Sequence, residues 1–353
     1  NSPLLILMSL VTVITYLFLR WSKYISKLNW QLVDKISIFN IKDISIRALK
    51  ILAVFIIYAL CMRGGIQLSP INQSFAYYSK EPALNAAAVN TIYNYFYSYA
   101  KKKHINPYNY FTKNELDSLL IKEDSKVNKN VSIISVEEPN IILIIMEGLA
   151  AEVLFEEEEI TPNLNRIIEK SIYFENIYAT STRTDRGLVS ILSGYPSLPN
   201  ISVVKEPDKA ARLSSLPKEL KNNGYSTSFI YGGESEFANI KSYLLNSKFE
   251  KIIDKNNFQK KDMNSKWGAH DHVVFNESFK QLKNMKEPFF TTILTLSSHE
   301  PFEVPIEKII KGDDRQSLYK NSVMYLDRSV GNFIEDVSTE KYYNNTVFIF
   351  ISD

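Results

Sequence analysis

Sulfur and imidazole ligands are scarce in this sequence. Its 353 residues include a single cysteine, Cys61, so neither an intrachain disulfide framework nor a cysteine-based zinc cluster can form. The histidines are His104, His270, His272 and His299, which are too few for a histidine-rich metal site. Any metal bound by this chain must therefore rely mainly on oxygen ligands.

The sequence also lacks a large excess of charge of either sign. The 41 lysines and arginines nearly balance the 39 aspartates and glutamates, which leaves a net charge of +2. The basic residues are scattered among acids rather than gathered along one stripe, so we expect no nucleic-acid partner. Hydrophobic residues make up 45% of the chain, which is enough for a domain core and a membrane segment.

Two long apolar runs stand near the start of the chain. The first, Leu4–Leu19, reaches the length of about 20 residues that a spanning helix needs once its flanks at 3–22 are included. A signal peptide is the alternative, but the run lacks a basic stretch before it and has an aromatic residue after it. The second run, 48–62, predicts another span, with a buried or interfacial helix as the alternative.

The segment between these runs is basic. Lysine and arginine outnumber aspartate there by seven to two, so by the positive-inside rule this loop faces the cytoplasm. We therefore expect a multi-pass protein of the plasma membrane, with a transmembrane segment over 1–63 and the remaining chain outside the cytoplasm. Residues 64–138 lack a long apolar period and predict a juxtamembrane linker with short helices, for instance Ala83–Tyr99.

Apolar runs alternate with helical patterns from Pro139 onward. Six apolar residues ending at Met146 predict a strand buried on both faces, and Glu147 follows it directly. A second run, Thr346–Ile351, leads to Asp353 in the same way. Because ligands collect at the carboxyl ends of strands in open α/β sheets, two carboxylates delivered to one edge predict a metal site.

The same alternation predicts the fold class of residues 139–353. Strands separated by helices indicate an α/β fold with a mostly parallel sheet that helices cover on both faces. Further strands are predicted at Ile172–Phe174, Ser226–Tyr231 and Phe289–Leu296, and helices from about Thr161, Arg186, Leu213, Phe237, Asp271 and Ser317.

Hydroxyl groups and arginines are concentrated between Thr180 and Gly187, just before a predicted helix. A helix N-terminus binds anions through its free N–H groups, and arginine adds bidentate recognition of phosphate. A hydroxyl in this position can also serve as a nucleophile. An ordinary Ser or Thr cap beside solvated arginines accounts for the same composition, so the cluster alone leaves both interpretations open.

Taken in order, these features resemble the lipoteichoic acid synthase family, whose members are membrane-anchored phosphoglycerol transferases. Their catalytic domain is sulfatase-like and belongs to the alkaline phosphatase superfamily. The resemblance covers roughly Ile51 to Asp353. Its motifs are Glu147 after the first strand, Thr161-Pro162-Asn163-Leu164-Asn165, Tyr173-Phe174-Glu175-Asn176-Ile177-Tyr178, Arg183-Thr184-Asp185, Trp267-Gly268 with Asp271, Thr295 to Phe302, Tyr325-Leu326-Asp327 and Ser352-Asp353.

The resemblance implies a role for several of these residues. Glu147 and Asp353 are implied to be metal ligands, Thr184 to be the nucleophile that also touches the metal, and His299 to contact the substrate. In that family a metal-binding histidine directly follows the aspartate that corresponds to Asp353. We therefore expect this chain to be truncated at its C-terminus, with an incomplete and inactive domain over 139–353.

One segment departs from the family pattern. Where the family commonly has His-Gly and then Trp-x-Arg for the phosphoglycerol headgroup, this chain reads Tyr231-Gly232-Gly233-Glu234-Ser235-Glu236-Phe237. The missing histidine and arginine leave the headgroup open. Glu234 and Glu236 suit a cationic or hydroxyl-rich substrate, and an exposed acidic turn is the alternative.

The residue types also indicate a mechanism. A threonine hydroxyl needs a divalent cation or a base to act as a nucleophile at neutral pH. We expect Thr184 to attack phosphorus, expel a lipid alcohol and form a phosphothreonine, with Arg183 and Arg186 offsetting charge on the phosphate. The donor is then a membrane phospholipid and the acceptor a glycan or a lipid. Oxygen-rich ligation suits Mn²⁺ or Mg²⁺ more than Zn²⁺, which stays possible.

Two other functions compete with this transferase. The first is a sulfatase or phosphodiesterase on the same fold, but the Cys/Ser-x-Pro-x-Arg motif that sulfatases convert to an aldehyde is missing near Thr184. The second is a membrane sensor built on a catalytically degenerate domain. The joint presence of Glu147, Thr184 and Asp353 argues against that alternative, because a degenerate site does not need all three.

Overall fold

The computed structural model describes residues 16–17, 19–25, 41–66, 70–101, 110–124, 133–156, 159–198 and 201–353. The chain divides into two compact units, Asn1–Ile71 and Asn72–Asp353. In the first unit residues 19–25 are helical and helix α1 spans Ile41–Arg63.

The membrane spans predicted from the sequence are not shown by the structure. Within the ranges just given, no helix combines the length and the apolar character that crossing a membrane requires. Helix α1 contains the second predicted span, 48–62, and its uninterrupted apolar part lies between Lys50 and Arg63. Most of the first predicted span, 3–22, lies outside the described residues. Both spans stay predictions.

A five-stranded parallel sheet organises the second unit. Its strands are β1 (Asn140–Met146), β2 (Ser226–Tyr231), β3 (Lys251–Ile253), β4 (Phe289–Leu294) and β5 (Thr346–Ser352). Their order across the sheet is β3-β2-β4-β1-β5. β1 pairs in parallel with β4 on one side and with β5 on the other. The carboxyl ends of β4, β1 and β5 therefore meet at one edge of the sheet.

Helices connect these strands and precede them. Those described in the second unit are α2 (Pro82–Ala88), α3 (Thr91–Lys101), α4 (Lys113–Asp124), α5 (Pro162–Ile168), α6 (Thr184–Ser193), α7 (Pro207–Ala210), α8 (Leu216–Asn222), α9 (Ile240–Asn246), α10 (Asp271–Leu282) and α11 (Arg315–Ser338).

β1 supplies side chains to a core on each face of the sheet, because successive residues of a strand point to opposite sides. Ile144 belongs to a core that also contains Val274 of α10 and Leu326 of α11. Ile145 belongs to the other core, with Leu188 of α6. The predicted fold class, a parallel sheet with helices on both faces, is confirmed for this part of the chain.

Two local predictions from the sequence are wrong. Ile172–Phe174 forms no strand, and the side chains of Ile172 and Phe174 are 61% and 60% exposed. Three apolar residues do not make a strand unless a neighbour pairs with them. The single helix predicted over Ala83–Tyr99 is divided into α2 and α3, because Val89 is extended and Asn90 accepts a hydrogen bond from the N–H of Tyr93, 3.0 Å away.

Part of the region predicted as a linker, at Asn72 and Ser74, is hydrogen-bonded to the segment that follows β2. Asn72 Nδ2 donates to the carbonyl oxygen of Glu236 over 2.9 Å. The N–H of Ser242 donates to Ser74 Oγ over 3.2 Å. Residues from Asn72 onward accordingly form one compact unit with the sheet.

Candidate active site

Glu147 stands at the carboxyl end of β1, the strand predicted to deliver it. Gly148 follows with φ of +59°, a conformation that turns the chain sharply away from the strand and favours glycine. The backbone of Glu147 is held on both sides, since its N–H donates to Thr295 Oγ1 over 2.9 Å and its carbonyl oxygen accepts from Ser298 Oγ. Two hydroxyls from the loop that follows β4 therefore hold the backbone of Glu147.

Thr184 is the first residue of α6 and faces this carboxylate. Its Oγ1 donates to Glu147 at 3.0 Å from Oε2 and 3.2 Å from Oε1. Arg183 before it is extended, so the helix starts at the threonine itself. A hydroxyl at a helix N-terminus lies where the helix dipole favours negative charge, which is the charge that a phosphoryl group brings.

Asp353 reaches the same place from the end of β5. Its Oδ1 accepts a hydrogen bond from the N–H of Gly148 over 3.1 Å, while its Oδ2 is buried and has no hydrogen-bond partner. The first turn of α6 lies against it, because a Cβ added to Gly187 would be only 3.1 Å from the Cβ of Asp353. The glycine therefore makes room for the aspartate next to Thr184 and Glu147.

The electrostatics of this cluster are unfavourable for the protein alone. Burial, followed by the charge of Asp353, raises the pKa of Glu147 to about 8. Two adjacent carboxylates out of water cost free energy unless a cation compensates them. Among the described residues no group of three or more His, Cys, Asp or Glu side chains is arranged for a metal ion. With Thr184 as a third oxygen, the cluster still fits a divalent cation that prefers oxygen ligands.

His299 lies on the loop that holds Glu147, one residue after Ser298. Its Nδ1 is 2.8 Å from the carbonyl oxygen of Glu300, so Nδ1 donates and Nε2 is the nitrogen able to accept a proton. The ring meets the ring of Trp267 edge to face, with centroids 4.8 Å apart. The indole Nε1 donates to the same carbonyl over 2.7 Å. The predicted substrate-contacting role of His299 stays a prediction.

The two arginines of the predicted phosphate site lie in and beside the first turn of α6. Arg183 is exposed and precedes the helix, and Arg186 is half-buried two residues after Thr184. Asp185 between them is buried, and its Oδ2 lies 3.6 Å from Lys205 Nζ. The structure thus places the arginines near the threonine along the chain, and their contact with substrate stays a prediction.

Glu234 is placed differently from the acidic turn that the sequence allowed. Its side chain is 11% exposed and forms an ion pair with Lys255. Glu236 beside it is also buried and pairs with Lys241 over 2.8 Å. Lysines of the chain already neutralise both carboxylates, so neither offers an uncompensated charge to a cationic substrate. A substrate contact by Glu234 stays a prediction.

No chemical role was predicted for two groups near the site, the buried Asp271 and the half-buried Tyr231. Asp271 accepts hydrogen bonds from the N–H groups of Leu296, at 2.7 Å, and Ser297, at 3.2 Å, and burial raises its pKa to about 6. Tyr231 ends β2, and burial, followed by the charge of Glu147, raises its pKa. An acidic residue at a predicted helix start was the available signal for Asp271. The signal for Tyr231 was the departure from the family pattern, since Tyr231-Gly232 stands where the family commonly has His-Gly.

Comparison with known proteins identifies the class that this fold and site define. The family model for sulfatases matches residues 139–353, more than half of the chain. The protein therefore belongs to the sulfatase family.

Its relatives narrow the class. Lipoteichoic acid synthase-like YvgJ of Bacillus subtilis (strain 168) is 26% identical over 226 residues, which are 61% of this chain and 36% of that protein. Phosphoglycerol transferase I of Xanthomonas campestris pv. campestris (strain B100) is 25% identical over 220 residues, which are 54% of this chain and 30% of that protein. This chain thus spans about a third of the length of these relatives. The resemblance to lipoteichoic acid synthases is confirmed.

Solved structures agree with the fold. A protein in the alkaline phosphatase superfamily from Vibrio parahaemolyticus has a TM-score of 0.61 and 28% identity, covering 69% of this chain and 64% of that one. The lipoteichoic acid synthase LtaP from Listeria monocytogenes has a TM-score of 0.54 and 21% identity, covering 61% of this chain and 56% of that one. The second likeness is one of fold alone.

Proposed function

We propose that this protein is a membrane-bound, metal-dependent transferase. It moves a phosphoglycerol-type headgroup, or another substituted phosphate, from a phospholipid to a glycan or lipid acceptor. The observation that carries this proposal is the hydroxyl of Thr184, which lies 3.0 Å from Glu147 at the start of α6 and beside Asp353. The relatives named as a lipoteichoic acid synthase-like protein and a phosphoglycerol transferase support the type of substrate.

Glu147, Thr184 and Asp353 would hold the divalent metal on which sulfatase-family enzymes generally depend. The buried Asp353 Oδ2 without a partner and the raised pKa of Glu147 both support this assignment. Oxygen ligands favour Mn²⁺ or Mg²⁺ over Zn²⁺. When bound, the cation lowers the pKa of the threonine hydroxyl and compensates charge on the phosphate.

The first chemical step belongs to Thr184. Its Oγ1 forms a bond to phosphorus, the bond between phosphorus and the lipid oxygen breaks, and the lipid leaves as an alcohol. The free N–H groups at the start of α6 face the developing negative charge, and Arg183 and Arg186 add positive charge on the same turn. A covalent phosphothreonine remains.

The second step regenerates the enzyme. A hydroxyl of the acceptor attacks phosphorus, the bond to Thr184 Oγ1 breaks, and the threonine recovers its proton. His299 lies beside the loop that fixes Glu147, and we assign it to contact the phosphate or the headgroup during both steps.

We place the enzyme in the plasma membrane, with the catalytic domain outside the cytoplasm. The basic segment between the two apolar runs supports this orientation, because positively charged loops remain on the cytoplasmic side. The donor phospholipid and the catalytic domain would then be on the same side of the membrane.

The proposal is tested with the full-length protein in membranes and a phospholipid carrying a labelled headgroup. Thr184→Ala should lower headgroup release by at least about 1,000-fold and abolish the phosphothreonine seen by mass spectrometry after rapid quenching. Thr182→Ala is the matched control, because Thr182 is an exposed hydroxyl two residues earlier, and its turnover should stay within about 2-fold. Retained turnover in Thr184→Ala would overturn the mechanism.

A phosphodiesterase is the second candidate, and the match to sulfatases over residues 139–353 favours keeping it. Both enzymes would share the first step, and they differ in whether water or an acceptor hydroxyl resolves the phosphothreonine. Product analysis separates them, since a transferase yields a headgroup attached to glycan or lipid and a hydrolase yields it free.

A further inference from the structure

The loop after β4, Thr295–His299, holds Glu147 and carries His299, two of the groups used in the proposed chemistry. Thr295 Oγ1 accepts the N–H of Glu147 over 2.9 Å, and Ser298 Oγ donates to the carbonyl oxygen of the same residue. His299 is the last residue of this loop. Any movement of the loop therefore displaces Glu147 and His299 together relative to Thr184.

Asp271 holds this loop from behind. Its carboxylate is fully buried, and Oδ1 accepts the N–H of Leu296 at 2.7 Å and that of Ser297 at 3.2 Å. In return the N–H of Asp271 donates to Ser297 Oγ over 3.1 Å. One side chain thus satisfies two backbone donors of the loop, and loss of the side chain would leave both buried without partners.

The position of Asp271 is itself fixed by close backbone contact. The N–H of Ala269 donates to the carbonyl oxygen of Gly232 over 3.0 Å, just after β2. A Cβ added to Gly268 would lie 2.1 Å from that carbonyl oxygen, so only glycine allows the approach. The carboxyl ends of β2, β4 and β1 are therefore connected in series, with Asp271 in the middle.

We propose that Asp271 is a positioning residue for the reaction. It acts through the loop Thr295–His299, whose contacts set Glu147 and His299 relative to Thr184. This inference rests on the proposed function. The structure shows the reason for a large effect, because reacting groups misplaced by about 1 Å can slow a reaction by about 100-fold.

The test compares Asp271→Ala with a matched buried aspartate that serves a different contact. Asp327 on α11 is also buried and accepts two backbone N–H groups, from Asn163 at 3.1 Å and Leu164 at 2.7 Å, at the start of α5. Asp327→Ala therefore removes the same kind of bonds without touching the loop after β4. A third variant, Asp271→Asn, keeps an oxygen in the place of Oδ1.

The measurements are kcat and KM for phospholipid turnover, the melting temperature, and the affinity for Mn²⁺ by calorimetric titration of the full-length protein. Asp271→Ala should lower kcat by about 10- to 100-fold and weaken Mn²⁺ binding, as removal of supporting groups generally does. Asp327→Ala should lower the melting temperature comparably and keep kcat within about 2-fold. Asp271→Asn should recover most of the lost kcat.

Two results would overturn the inference about Asp271. One is an equal loss of kcat and of Mn²⁺ affinity in Asp271→Ala and Asp327→Ala at temperatures where both are folded. The other is an Asp271→Asn variant that is no better than Asp271→Ala, since the role would then require charge and not hydrogen bonding. Failure of the proposed function is distinguishable, because the wild-type protein itself would then release no headgroup while the Mn²⁺ titrations would still compare the variants.

Discussion

The two ends of β1 satisfy their buried polar groups in opposite ways. At the amino end Asn140 is buried, its Oδ1 accepts the N–H of Phe289 over 3.1 Å, and its Nδ2 donates to Glu287 over 2.7 Å. At the carboxyl end Glu147 and Asp353 lie side by side, and Asp353 Oδ2 has no partner. The polar groups of the amino end are satisfied by neighbouring residues, whereas at the carboxyl end no described hydrogen bond satisfies Asp353 Oδ2 and the two carboxyl groups oppose each other's ionisation.

The two ends of β1 therefore serve different purposes, stability at the amino end and function at the carboxyl end. At the amino end, the hydrogen bond from the N–H of Phe289 to Asn140 Oδ1 joins β1 to the start of β4. Both of these groups are neutral amides, so the bond stabilises the fold. Uncompensated carboxylates at the carboxyl end destabilise the metal-free fold. Variants at the carboxyl end should therefore lower activity and stabilise the metal-free protein, whereas variants at the amino end should lower stability and leave activity unchanged.

The largest effect is expected at the carboxyl end. Glu147→Gln keeps the shape but removes a carboxyl group whose ionisation is opposed by burial and by Asp353, so headgroup release should fall by about 1,000-fold while the metal-free protein melts at a higher temperature. Activity assays and thermal melts with and without Mn²⁺ provide the measurement. A lower melting temperature for the metal-free variant would contradict the comparison of the two ends.

The next effect is expected at the amino end. Asn140→Ala removes two hydrogen bonds and leaves the buried N–H of Phe289 without a partner, which should cost about 1–3 kcal/mol of unfolding free energy. Urea denaturation measures the loss. The value of kcat, corrected for the folded fraction, should match that of the wild type. A kcat that falls with the stability would mean that the two ends are not independent.

A smaller effect should follow from crowding Asp353. Gly187→Ala places a methyl group 3.1 Å from the Asp353 Cβ, so Mn²⁺ affinity should fall by about 10-fold as the carboxylate moves away. Gly194→Ala is the control in the same helix region. It has open space around its Cβ but a φ of +60°, so it should lower the melting temperature and leave Mn²⁺ affinity unchanged. Equal Mn²⁺ affinities in both variants would show that Asp353 is not a ligand.

The smallest effect concerns pH. Burial raises the pKa of Asp271 from its ordinary value of 3.8 to about 6. Between these values the folded protein holds a proton that the unfolded chain has released, so this group lowers stability as the pH rises from 3.8 to 6. Asp271→Asn does not titrate, and its melting temperature should therefore rise relative to the wild type over that range. A constant difference would contradict the raised pKa.

Four of the five strands, β1, β2, β4 and β5, and the first residues of the site could be predicted because their signals are local, whereas the three-residue strand β3 was not predicted. β1 is a continuous apolar run, and the charge directly after it marks Glu147 as the residue at the strand end. Thr184 stands out as a hydroxyl between arginines before a helical pattern. The resemblance to a family then connected it with Glu147, and the structure places the two side chains 3.0 Å apart.

The remaining features depend on partners that are distant in sequence. Asp271 accepts hydrogen bonds from backbone N–H groups 25 and 26 residues away, and no local sequence pattern predicts such a bond. The pairing of Glu234 with Lys255 joins residues 21 positions apart, which is why an acidic turn appeared open to a substrate. The short run at Ile172 was assigned to a strand for the same reason, because pairing decides a strand and cannot be seen in three residues.

The position of β1 in the sheet has a consequence for biosynthesis. It is the first strand of the sheet to be synthesised, and its partner β5 lies 206 residues later along the chain. At about 5–20 residues per second the ribosome needs roughly 10–40 s to complete β5 after β1. During that time the apolar segment Ile141–Met146 has no neighbour on that side. Until β5 is complete, this segment is therefore an apolar strand with an open edge, the kind of segment that is prone to aggregate.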